Sequence, residues 1–167
     1  MALETFLLEL AEAFPDALDR FLVQILRRSE SGALTSVVAS VATAYPHQAG
    51  ESLLVLLSCR HCIELDKQRL VHEAQAASRF TEIMPFIQAD KRIFDRERKT
   101  ADALPHRSKD LEVAIGNLQL GSLQPRVYAL LDAHRASLPQ PDVQNERDKV
   151  WRLAIHRMDL KAVYRHR

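Results

Sequence analysis

Glycine is scarce in this sequence, with only 4 among 167 residues. A sheet-rich protein of this length needs more of them for its turns, so the shortage argues against a β architecture. It also removes chemistry. There is no glycine-rich dinucleotide fingerprint and no G-x-S-x-G nucleophile elbow. Gly116 and Gly121 have the outer spacing of a P-loop, but the lysine that would reach the phosphates is missing, and no strand precedes them. The 7 histidines are spread out, and H-E-x-x-H does not occur. With 2 cysteines no disulfide framework is available. The longest unbroken aliphatic run, Leu53 to Leu57, is far below the roughly 18–20 residues that span a bilayer. The acidic start, Met1-Ala2-Leu3-Glu4, does not read as a secretory leader. The expectation is a cytoplasmic protein with free thiols and no membrane segment. A net charge of +1 supplies no global field for nucleic acid or acidic partners.

What the sequence has in quantity is alanine, leucine, arginine and glutamate, all helix formers. Hydrophobic residues make up 47%, enough for a core without disulfides or metals at this length. Leu3, Phe6, Leu7, Leu10 and Phe14 fall on one helical face before Pro15. Asp16 is placed to cap a second helix, about 17–29, whose face is Leu18, Phe21, Leu22, Ile25 and Leu26. The link between the two is very short, which predicts an antiparallel hairpin. After Ser31-Gly32, the run from Ala33 to Tyr45 is almost free of charge and reads as a helix buried between neighbours. Its valines leave a strand reading open, but strict alternation is missing. Further helices are expected at about 49–59, 62–77, 79–103 (as one or two), 109–120 and 123–136. Ser137 to Pro141 is the clearest linker, and Asp142 is placed to cap a final helix at about 143–165.

The expected fold is therefore all-α, with about eight or nine helices in an irregular bundle or a short α-solenoid of stacked hairpins. Residues 1–137 would form the main domain. Residues 138–167 would be a linker and a basic amphipathic helix packed on it.

Few residues point to chemistry. Cys59-Arg60-His61-Cys62 is a C-x-x-C pair, a spacing that can bind a metal or exchange disulfides. A four-ligand metal site would need help from His61, Asp66 or His72, so the plainer reading is two structural thiols. Val150 to Arg167 carries five bases and one acid, Asp159. Arg152, Arg157, Lys161, Arg165 and Arg167 are thus candidate phosphate contacts, weighed against an ordinary solvated face. His156, Asp159 and Arg152 share one side of that helix and are expected to be a surface ion-pair line rather than a proton shuttle. Trp151 lies in the apolar arc and is expected in the core.

Two segments carry a family resemblance: Gly32 to Pro46, and Trp151 to Lys161. Both resemble the helical region of large bacterial STAND-type P-loop ATPases, including antiviral defence ATPases. In such proteins the ATPase lies outside this region, which serves as scaffold, sensor or spacer. The resemblance implies a piece of a larger protein and, with no Walker motif here, no catalytic residue. The expected function is a non-enzymatic scaffold or protein-interaction domain without a cofactor. The alternatives are a nucleic-acid contact through the basic last helix, or a metal or thiol site at Cys59 and Cys62.

Overall fold

The computed structural model describes residues 2–83, 96, 100 and 103–164. Among these residues the protein is helical, without strands. The helices are α1 (Ala2–Ala13), α2 (Pro15–Arg28), α3 (Gly32–Ala44), α4 (Gly50–Ser58), α5 (Arg60–Ile83), α6 (Leu111–Leu118), α7 (Gln124–Ala136), α8 (Glu146–Met158) and α9 (Leu160–Tyr164). Two short 3₁₀ turns, Pro105–Ser108 and Pro141–Val143, precede α6 and α8.

Helices α3, α4 and α6 form the interior. The α3 helix packs on α1, α2, α4 and α6, while α4 reaches from α2 and α3 to α5, α6 and α7. In a solenoid each hairpin touches only its neighbours. Here the contacts of α4 close one shared core, so the architecture is an irregular bundle. The core joins Leu18 and Leu22 of α2, Val38 and Val41 of α3, Leu53 and Leu57 of α4, Ile115 of α6, Leu131 of α7 and Ile155 of α8. Each such side chain contributes roughly 1.5–3 kcal/mol by leaving water. Gly50 leaves room for the side chain of Leu123, the residue before α7. A Cβ there would lie 2.5 Å from Leu123 Cδ1.

The charge-free run forms a helix, as its length and lack of alternation predict. Burial is confined to its C-terminal half, Val38, Ala39, Val41, Ala42 and Thr43. The expected break near residue 78 is absent, because α5 runs unbroken from Arg60 to Ile83. No glycine or proline interrupts it there. Most of the 79–103 stretch, including Pro85, lies outside the described residues, and so does the choice between one helix and two.

Helix ends account for the other differences from expectation. Pro15 opens α2 as its first residue, so Asp16 sits inside the first turn instead of capping it. The carboxylate that caps is Asp19, and it caps a different helix. Its Oδ2 accepts from the Glu51 amide at 2.9 Å, and its Oδ1 accepts from the Ser52 amide at 2.9 Å and hydroxyl at 2.8 Å. Those amides belong to the first turn of α4, where backbone donors lack helical acceptors. Asp142 likewise lies in a 3₁₀ turn, and Asn145 caps α8 by accepting from the Asp148 amide at 2.9 Å.

The last helix is also broken. Asp159 takes an extended conformation (φ −90°, ψ 102°) between α8 and α9. The fully buried Gln119 satisfies what this break exposes. Its Nε2 donates to the Met158 carbonyl at 2.7 Å, and its Oε1 accepts from the Leu160 amide at 3.0 Å. A local periodicity count cannot find such a joint, because its partner is 39 residues away.

Candidate functional site

The N-terminal hairpin leaves an unusual surface. Along α1 the buried positions are Glu4, Leu7 and Ala11, which face α2 and α3. The same apolar stripe continues sideways onto Leu3 and Phe6, which are exposed, Phe6 by 53%. Phe14 at the hairpin joint is 64% exposed and Phe21 on α2 is 48% exposed. Phe21, Ile25 and Leu34 also line an open groove of about 540 Å³ between α2 and the start of α3. Glu9, Glu12 and Asp16 stand exposed on α1 and the first turn of α2, and α1 has no basic residue. The hairpin thus presents aromatic side chains with exposed acids on α1 and exposed arginines, Arg20, Arg27 and Arg28, on α2.

Glu4 is the hub of a buried polar network. Its Oε1 accepts from the Ser40 hydroxyl at 2.6 Å, and its Oε2 accepts from the Arg107 guanidinium at 2.6 Å. Burial pushes the Glu4 pKa upward, but the Ser40 and Arg107 interactions outweigh it and hold the carboxylate below its ordinary range. His106 Nε2 stands 3.5 Å from Glu4 Oε1 without a well-formed hydrogen bond, and burial lowers the His106 pKa. Arg107 and Arg69 share Glu73, and Arg69 also holds Asp66 at 2.8 Å. The second oxygen of Asp66 accepts from the Leu111 amide at 2.8 Å. These groups hold one another, while His106 Nε2 and Arg107 Nε stay buried without a hydrogen-bond partner. Their effect is to clamp residues 104–111 onto α1, α3 and α5. Sequence reading missed Glu4, although an acid in register with Leu7 and Ala11 was the available signal.

The two cysteines do not share one regular helix. Cys59 is the single extended residue between α4 and α5 (φ −100°, ψ 104°), and it is exposed. Cys62 sits in the first turn of α5, half-buried. Burial pushes the Cys62 thiol up to about 11, and the adjacent Cys59 thiol and the Asp66 charge add to the shift. His61 is exposed and turned to Glu64 at 3.9 Å, Asp66 is occupied as above, and His72 is exposed. Among the described residues, no group of three His, Cys, Asp or Glu could hold a metal ion.

The basic candidates do not form a single stripe. Arg152 is exposed on α8, whereas Arg157 donates to Glu112 at 3.0 Å. Lys161 lies beyond the Asp159 break, its Nζ 3.5 Å from the centre of the Tyr128 ring. Arg165 and Arg167 are outside the described residues. Of the His156, Asp159 and Arg152 trio, Asp159 turns to another helix. Asp159 is buried, pairs with Arg135, and accepts from the Lys161 amide at 2.9 Å. Trp151 is in the core. His134 meets it edge-on at 5.2 Å and the Arg60 guanidinium lies 5.3 Å from its ring centre. Among the described residues, no helix is long and apolar enough to cross a membrane.

The chain matches no model of a known protein family and no curated protein.

Proposed function

We propose that this chain is a non-enzymatic helical scaffold that binds a protein partner through its N-terminal hairpin. The observation that carries this reading is the exposure of Phe6, Phe14 and Phe21 on a hairpin whose Leu7, Ala11, Leu18 and Leu22 are buried in the core. Aromatic side chains are enriched in protein interfaces, and leaving several of them exposed costs solubility without a compensating contact. The acids on α1 and at Asp16, at the Phe6 and Phe14 end, favour a partner segment that is apolar with a basic flank there. An amphipathic helix laid along the hairpin is the simplest such segment.

The resemblance to the helical regions of STAND-type ATPases supports the same reading. It extends the proposal to a defence-related NTPase assembly in which this bundle is the non-catalytic part. The partner surface is then either the remainder of a longer chain or a separate protein.

The test compares the tagged wild-type protein with a variant carrying Phe6→Ser, Phe14→Ser and Phe21→Ser. Circular dichroism and thermal melting establish that both are folded. The reading expects the wild type to retain a stoichiometric protein partner from its native host, and the variant to lose it by at least about tenfold. A wild type that is a monodisperse monomer with no partner contradicts the proposal. So does a partner held equally by both proteins.

A further inference from the structure

We propose that Cys59 and Cys62 form a dithiol–disulfide exchange site in which Cys59 attacks an exposed disulfide and Cys62 resolves the product. The inference rests on how the α4–α5 joint treats the two sulfurs, and it is independent of the docking face.

Cys59 occupies the position immediately before α5. Its carbonyl accepts from the Cys62 amide at 3.0 Å and from the Ile63 amide at 3.4 Å. One helical turn therefore separates the two residues. It sets their Cα atoms roughly 5–6 Å apart, within the span a disulfide bridges. The extended backbone of Cys59 lifts it out of both helices and leaves it exposed. Cys62 is withdrawn, lining a cleft of about 320 Å³ with Leu56, Leu65 and Asp66. An exposed cysteine at the amino end of a 24-residue helix, with a half-buried one in the first turn of that helix, gives the two thiols different access to a substrate. A helix amino end also faces developing negative charge favourably.

This asymmetry assigns the roles. The Cys62 thiol, with its pKa near 11, stays protonated at neutral pH and does not compete for the first attack. Metal binding is the less favoured use of the pair, because no third ligand stands with it among the described residues.

The exchange balances as follows. The Cys59 thiolate attacks one sulfur of a substrate disulfide. The substrate S–S bond breaks, a mixed disulfide forms on Cys59, and the departing thiolate takes a proton from solvent. Cys62 then loses its proton to solvent, and its sulfur attacks Cys59 Sγ. A Cys59–Cys62 disulfide forms and the second substrate thiolate leaves. The substrate disulfide gains two electrons and becomes two thiols, while the protein dithiol loses two.

Oxidised glutathione serves as the probe. Reduced whole protein is mixed with it in the absence of air at neutral pH, quenched by alkylation, and mapped by mass spectrometry. The expected product is an intramolecular Cys59–Cys62 disulfide with glutathione released. Cys62→Ser should stop at a glutathione adduct on Cys59, and Cys62→Ala provides the same trap if the serine variant does not fold. Cys59→Ser should react at least about tenfold more slowly. The proposal is overturned if the first adduct forms on Cys62, if no intramolecular disulfide forms in the wild type, or if the two single variants react at equal rates.

Discussion

Helices α2 and α8 look alike in sequence, since both carry a broad apolar arc with charges opposite. They end differently. In α8 Trp151, Ala154, Ile155 and Met158 are buried, and the exposed apolar residues are the aliphatic Val150 and Leu153. In α2 only Leu18 and Leu22 are buried, and Phe21, one residue from Leu22, remains 48% exposed. The cause lies in the neighbours. The α8 helix packs against both α6 and α7. The α2 helix packs on α1, α3 and α4, yet Phe21 keeps half its surface in solvent. Periodicity thus shows which face is apolar, whereas tertiary packing decides how much of that face is covered. The uncovered part is where a partner gains most.

The sharpest way to break this comparison is to truncate equivalent arcs. Trp151→Ala should destabilise the fold by about 3–5 kcal/mol and Leu22→Ala by about 2–5 kcal/mol. Phe21→Ala, on the same helix as Leu22, should cost within about 0.5 kcal/mol. Chemical denaturation of the three variants checks this. Comparable losses at Leu22 and Phe21 would mean that the hairpin's outer face is packed after all.

Next in size is the joint between α8 and α9. Gln119→Leu strands the Met158 carbonyl and the Leu160 amide, for an expected loss of about 1–3 kcal/mol. The corresponding cap on the N-terminal side, tested by Asp19→Ala, should cost about 1 kcal/mol. Urea melts of the two variants compare the ends directly, and the buried glutamine should matter more than the half-exposed aspartate.

Acid should act first at the clamp between the N-terminal hairpin and residues 104–111. His106 has a lowered pKa in the fold, so the unfolded chain takes up its proton first as pH falls below the ordinary 6.5. Glu4 is also lowered, and its contribution, present above the ordinary 4.5, is lost as pH falls further toward its folded value. Both shifts make stability fall with falling pH. His106→Phe should flatten the upper part of that decline, between about pH 7 and pH 5.5, when melting is followed across that range.

How much of this was legible in the sequence follows the same division. The helical class, the hairpin break at Pro15, the core positions Leu18 and Leu22, and the burial of Trp151 all follow from local pattern. The cap of α4 by Asp19, the α8–α9 joint held by Gln119, and the hub at Glu4 are not local. Each joins residues tens of positions apart, such as the 103 between Glu4 and Arg107. Periodicity carries no term for such contacts. The candidate site was visible only in half. The phenylalanines read as core because their spacing is that of core residues. The C-x-x-C pair stood out, but its asymmetry comes from one extended residue that spacing does not reveal.

The central claim is that the uncovered side of the N-terminal hairpin is the partner surface. Hydrogen exchange measured on the captured complex against the free protein tests it most directly. The account predicts added protection over residues 2–28, centred on the segments around Phe6, Phe14 and Phe21. Protection confined to α8 and α9, with the hairpin unchanged, would contradict it and move the interface to the basic end of the molecule.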